Sequence, residues 1–107
     1  MTKISPQRIA LIESRFSELE ARMASGQLEG DAFVTASKEY SELEPVAKAA
    51  ANVRRLRKEI ETLQHMSKDS SDPDLHEMAI EELEDVSHQL SEAETALAIS
   101  LLPKDAA

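Results

Sequence analysis

Apolar side chains recur every three or four positions along most of this chain, and no stretch shows the strict alternation of a strand. From Val46 the stripe runs through Ala49, Val53, Leu56, Ile60 and Leu63; from Ala79 it runs through Leu83, Val86, Leu90, Ala93 and Leu97. A repeat averaging 3.5 residues keeps one stripe against a partner helix and winds the pair left-handed. The spacing predicts a long antiparallel helical hairpin. Its arms are joined by Ser67-Lys68-Asp69-Ser70-Ser71-Asp72-Pro73, a run that predicts a turn. Asp72 suits the N-cap, and Pro73 at the first helical position loses only an amide that would be unpaired anyway. At about 1.5 Å per residue, each arm spans on the order of 30 Å.

The part before the hairpin follows the same rule. Ser5-Pro6 predicts a helix start, and Ile9, Ile12, Phe16, Leu19 and Met23 form a stripe that Ser25-Gly26 closes. Glycine suits the left-handed position after a helix end. Asp31 is the expected cap of the next helix, whose apolar face is Phe33, Ala36, Tyr40 and Leu43. Continuing from Leu43 the stripe is due at position 47, yet it resumes at Val46, directly after Pro45. Proline cannot donate to the carbonyl four residues back, so a kink or brief break is expected at Glu44-Pro45. Helices are therefore predicted over 6–25, 32–44, 46–66 and 73–101, the middle two forming either two helices or one bent helix. The fold class is all-α: an antiparallel bundle of three long helices, the second kinked near Pro45.

Composition narrows this picture. With 107 residues the chain reads as a single helical domain, 41% hydrophobic and 31% charged, with 2 Gly and 4 Pro. That is too apolar for a disordered tail and too poor in breakers for a sheet protein. The only aromatics are Phe16, Phe33 and Tyr40, so the core falls to Leu, Ile, Val, Met and Ala. Absent cysteine, disulfides, thiolate metal sites and Cys nucleophiles are excluded. No apolar run approaches the roughly 20 residues a membrane helix needs, and Met1-Thr2-Lys3-Ile4 lacks the apolar stretch of a secretion signal. A cytoplasmic protein is the expectation.

Charge is unevenly placed. The net charge of −9 argues against general attraction to nucleic acid or anionic lipid. Between Asp69 and Pro103 there is no Lys or Arg, whereas Asp72, Asp74, Glu77, Glu81, Glu82, Glu84, Asp85, Glu92 and Glu94 are acidic. The opposing arm carries Lys48, Arg54, Arg55, Arg57 and Lys58. With the turn centred near residues 69–70, Arg54 to Lys58 lie level with Glu81 to Asp85, which predicts ion pairs across the hairpin. Only Arg57 borders the seam; Arg54, Arg55 and Lys58 point away from it. The cluster Arg54, Arg55, Arg57 and Lys58 is the one candidate RNA contact, and the favoured alternative is that it forms half of an ion-pair network with the acidic arm.

Little else suggests chemistry. His65, His76 and His88 form no i, i+4 pair and no Glu-x-x-His, so no metal or cofactor is expected and the histidines read as surface residues. The carboxylates fall on outward positions, without the contrasting environments that acid–base work needs. There is no Gly-rich phosphate loop and no nucleophile elbow. Met23, Met66 and Met78 read as core or helix-end filling.

Several segments resemble a known family. Leu101-Leu102-Pro103-Lys104-Asp105 after an acidic helix is similar to the junction closing the N-terminal domain of bacterial class-I peptide chain release factors, in particular those reading UAA and UAG. Ser37-Lys38-Glu39-Tyr40-Ser41-Glu42-Leu43 resembles that family's Ser-(Lys/Arg)-Glu-Tyr segment. Asp72-Pro73-Asp74-Leu75 with Glu77-Met78-Ala79 resembles its Asp-Pro-Glu-(Leu/Met)-x-Glu-Met-Ala segment. The three occur in order, and the resemblance covers essentially the whole chain.

The resemblance implies a helical domain with a short first helix packed on a long hairpin. The family's Gly-Gly-Gln loop for peptidyl-tRNA hydrolysis and Pro-x-Thr codon-reading tripeptide lie further downstream, and neither occurs here. The expectation is a non-catalytic, ribosome-docking N-terminal domain, not an enzyme by itself. The family's domain lies near the stalk base of the large subunit, where interplay with the class-II release GTPase is implied. The hairpin's outer surface or tip is the expected contact, with Arg54, Arg55 and Lys58 as candidates. The rival reading is a stand-alone coiled-coil interaction protein that self-associates, whereas the docking domain is expected to be a monomer.

Overall fold

The computed structural model describes residues 3–69 and 71–103. It contains three helices: α1 (Pro6–Ala24), α2 (Asp31–Asp69) and α3 (Pro73–Ser100). The central helix is the spine, with α1 packed on it and α3 packed on it, while α1 and α3 do not pack on one another among the described residues. At 1.5 Å per residue a 39-residue helix is about 58 Å long. That one element sets the largest extent of the molecule, 62 × 36 × 18 Å. The radius of gyration is 18.4 Å, against about 13 Å for a compact domain of this size. The body is a slat.

The helix ends follow from their capping residues. Ser5 has extended backbone angles and its hydroxyl accepts the Arg8 amide at 3.1 Å. Ile4 just before the cap and Ile9 four residues into the helix are both buried, the apolar pair that fixes the chain's approach to a helix start. Gly26 has φ 74°, a conformation that leaves α1 without a Cβ clash. Asp31 is not the cap expected of it but the first residue of α2, following Gly30, whose carbonyl accepts the Phe33 and Val34 amides. Its carboxylate is nonetheless well placed against the positive end of the helix.

At the hairpin turn Asp72 caps α3 as expected, its side chain accepting the Asp74 amide at 2.9 Å. The first arm runs three residues beyond its predicted end, to Asp69, so only a short link remains. Ser70 in that link, like Lys104-Asp105 of the junction segment and Met1-Thr2, lies outside the described residues. Replacing Asp72 with alanine is expected to lower unfolding stability by about 1 kcal/mol, the usual cost of a lost N-cap, in thermal or denaturant melts.

Pro45 sits inside α2, and the helix runs through it without a break. The slip in the apolar stripe has another meaning. Before the proline, α2 buries Ala36 and half-buries Tyr40 and Leu43 beneath α1. After it, Val46 and Ala49 join the cluster formed with α3, while Ala47 lines a crevice with Glu13, Phe16 and Ser17 of α1. The stripe changes phase because the helix changes partner. Ala47 and Ala50 are buried here, small enough to admit close neighbours on adjoining faces.

The core is built from Ile4, Ile9, Ala50, Val53, Leu56, Leu63, Val86, Ala93 and Leu97. Every residue of both hairpin stripes is buried or half-buried. Three expectations need correction. Phe33 is 42% exposed, because the α2 residues that meet α1 at this end are Ala32, Thr35, Ala36 and Glu39, and Phe33 stands to the side of them. Met66 and Met78 are 47% and 62% exposed and fill no core. The seam steps from Leu63 to half-buried Ser67, which leaves Met66 to the side.

Candidate docking surface

The four basic residues of the middle of α2 have different fates. Arg54 reaches α1, where its guanidinium donates to both oxygens of Glu13 at 2.8 and 3.1 Å. That hydrogen-bonded pair raises the Arg54 pKa further above its ordinary value. Arg57 turns inward: its Nη2 donates to Glu94 of α3 at 2.8 Å and to the Ile4 carbonyl at 2.7 Å. Its side chain is 20% exposed and that of Glu94 only 13%. Arg55 stays on its own helix, donating to Asn52 at 2.8 Å and lying 3.5 Å from Glu59. Lys58 is exposed and has no ion-pair partner among the described residues.

This overturns the expected pairing with Glu81 to Asp85. No ion pair joins the basic cluster to those acids among the described residues, and the one bridge to α3 reaches Glu94 instead. The expectation treated the hairpin as an isolated pair. In the fold α1 supplies Glu13 to Arg54, and the exposed acids of α3 stand on its solvent side. The candidates therefore separate: Arg54 is a tie between helices, while Arg55 and Lys58 face outward beside Ala51 and Asn52 in an open depression.

Further along, α1 is fastened to the front half of α2 by contacts that the periodicity does not reveal. Arg15 donates to both oxygens of Glu39 at 2.7 and 2.8 Å. The Phe16 and Tyr40 rings stack at 4.7 Å between centroids, and the Tyr40 hydroxyl donates to Glu20 at 3.4 Å. Aromatic and carboxylate groups in adjoining turns would have signalled this only once the α1–α2 register was known. Hydrogen bonding to Arg15 holds the Glu39 carboxyl below its ordinary pKa. A depressed folded-state pKa makes the contribution complete above the ordinary glutamate range, and it is lost as pH falls through the folded value. A Glu39→Gln variant is expected to be less stable than the parent near neutrality and to converge with it in acid, as acid titrations of denaturant midpoints would show.

The histidines stand apart. His76 Nδ1 lies 2.6 Å from the Ser67 carbonyl across the hairpin end, and His88 lies 3.3 Å from Glu92 with its side chain 78% exposed. Among the described residues no group of three or more His, Asp or Glu could hold a metal ion. No helix among the described residues is long and apolar enough to cross a membrane. What the fold and surface define is an all-helical module that presents faces rather than enclosing a site.

The chain belongs to the family of the PCRF domain, whose model matches residues 12–107. It is 57% identical over 107 residues to a protein of Zymomonas mobilis subsp. mobilis named peptide chain release factor 1, covering 100% of this chain and 30% of that protein. Proteins of the same name from Erythrobacter litoralis and Novosphingobium aromaticivorans are 53% and 49% identical over 104 residues, 97% of this chain and 28% of theirs. The chain thus spans about three-tenths of the length of the curated relatives it matches. No solved structure matches it significantly.

Proposed function

We propose that this chain is the N-terminal docking domain of a class-I peptide chain release factor acting in translation termination in the cytoplasm. It leaves codon reading and peptidyl-tRNA hydrolysis to other parts of the factor and performs no catalysis itself. The observation that carries the reading is the family match over residues 12–107, together with relatives named peptide chain release factor 1. The shape supports it: a 62 Å slat with open faces is suited to leaning on a larger body, not to holding a substrate. The domain rests on the ribosome at the stalk base of the large subunit, where it positions the factor and bears on its interplay with the class-II release GTPase. Arg55 and Lys58 on the outer face of the hairpin are the contacts, with Arg54 holding α1 in place beside them. Alone, the chain is a monomer.

The test is a release factor deleted of this domain, compared with the intact factor in ribosome pelleting and peptide-release kinetics. Weaker ribosome association or slower recycling is expected. Unchanged affinity, release rate and recycling would overturn the docking role. A sedimentation mass near 11.8 kDa is expected for the isolated chain, whereas a stable dimer would favour the self-associating coiled coil.

A further inference from the structure

The outward face of α2 carries charge of the opposite sign to the rest of the molecule. Lys48, Asn52, Arg55, Lys58 and Thr62 follow one another at three- and four-residue spacing, so they share one side of the helix. Lys48, Arg55 and Lys58 are exposed, and neither lysine has an ion-pair partner among the described residues. Glu59 is the one carboxylate paired on this face, 3.5 Å from Arg55, and Glu44 precedes it by one turn before Lys48. From Lys48 to Lys58 the face extends about 15 Å. It stands out in a chain of net charge −9.

We infer that this face seats a phosphodiester backbone of RNA, and the inference rests on the ribosome-docking reading above. Four features favour that occupant. Asn52 holds Arg55 along its own helix at 2.8 Å, which keeps the guanidinium at the surface instead of spending it on a neighbouring helix as Arg54 and Arg57 are spent. Ala51 and Asn52 are short, so the open depression they form with Arg54, Arg55 and Lys58 admits a bulky strand between the cations. The aromatics are elsewhere: Phe16 and Tyr40 stack on each other and Phe33 lies near the start of α2. Without an aromatic ring, the face offers single bases no stacking platform beyond the Arg55 guanidinium. Cations without base-reading partners contact phosphates and fix position without reading sequence. The exposed acids of α3, with no Lys or Arg between Asp69 and Pro103, repel the same polyanion, so the α3 side is turned away from it.

The experiment uses bacterial ribosomes as the probe and measures their binding to the chain across a salt series. Phosphate neutralisation makes log K fall with log salt by about 0.7–0.9 per contact. The double variant Arg55→Gln/Lys58→Gln is expected to bind on the order of tenfold more weakly, with a salt slope reduced by about two. Arg55→Lys/Lys58→Arg keeps affinity and slope. A photo-crosslinker at Asn52 is expected to label ribosomal RNA. If the parent chain binds ribosomes but the double variant keeps its affinity and slope, or if the crosslink reaches only ribosomal protein, the RNA inference fails and docking stands. If the parent chain does not bind at all, both fail.

Discussion

Leu97→Ala is expected to lower the stability of this chain by about 2–5 kcal/mol, the usual cost of truncating a fully buried leucine. Leu97 is 0% exposed and belongs to the same cluster as Ala50, Val53 and Leu56 of α2. Truncation removes the transfer free energy of its branched end and leaves a void that stiff neighbouring helices close only in part. A domain of this length has roughly 5–15 kcal/mol in total, so one substitution removes a substantial part of it. Leu11→Ala, at a residue 70% exposed on α1, is expected to change stability by less than about 0.5 kcal/mol. Urea melts of the two variants beside the parent make the comparison. Equal losses at the two sites would contradict the packing described.

Arg57→Ala ranks second, with an expected loss of about 2–4 kcal/mol. The substitution leaves the Glu94 carboxylate, 13% exposed, facing the core without a cation. It also strips the Ile4 carbonyl of its donor. Breaking a fully buried pair costs about 3–5 kcal/mol, and the partial exposure here scales that down. Arg57→Lys is expected to lose much less. One nitrogen of Arg57 serves both acceptors, and its buried Nε has no hydrogen-bond partner, so a lysine forgoes little that the guanidinium uses. The double variant Arg57→Met/Glu94→Leu is expected to recover most of the loss by removing both charges together. Denaturant midpoints for the four proteins decide the matter; a neutral Arg57→Ala would mean the bridge contributes nothing.

Much of the fold was legible because a helix seam has a strict period. Val53, Leu56, Leu63, Ala79, Val86, Ala93 and Leu97 lie buried where the 3.5-residue repeat puts them. The caps at Ser5 and Asp72 were equally plain, since each needs only local chemistry. Ile4 escaped because it precedes the helix and belongs to no stripe; its signal was the pairing across the Ser5 cap with Ile9. The surface was harder. Charge patterns along one hairpin do not say that a third helix will compete for the same arginine, and Glu13 does so for Arg54. The α1–α2 register that joins Arg15 to Glu39 is a relation between distant segments, 24 residues apart. Of the three outward candidates, Arg54 meets Glu13 of α1, while Arg55 and Lys58 line the open depression on the outer face.

Because α1 rests on α2 alone, the molecule has a built-in order of opening. Detaching α1 would break the Arg15 and Arg54 bridges and the Phe16–Tyr40 stack, yet leave the interface between the two longer helices standing. Amide exchange should then fall into two tiers, with α1 protons lost to solvent sooner than those of Val53 to Leu63 and Val86 to Leu97. The domain would behave as a stiff beam with a detachable splint.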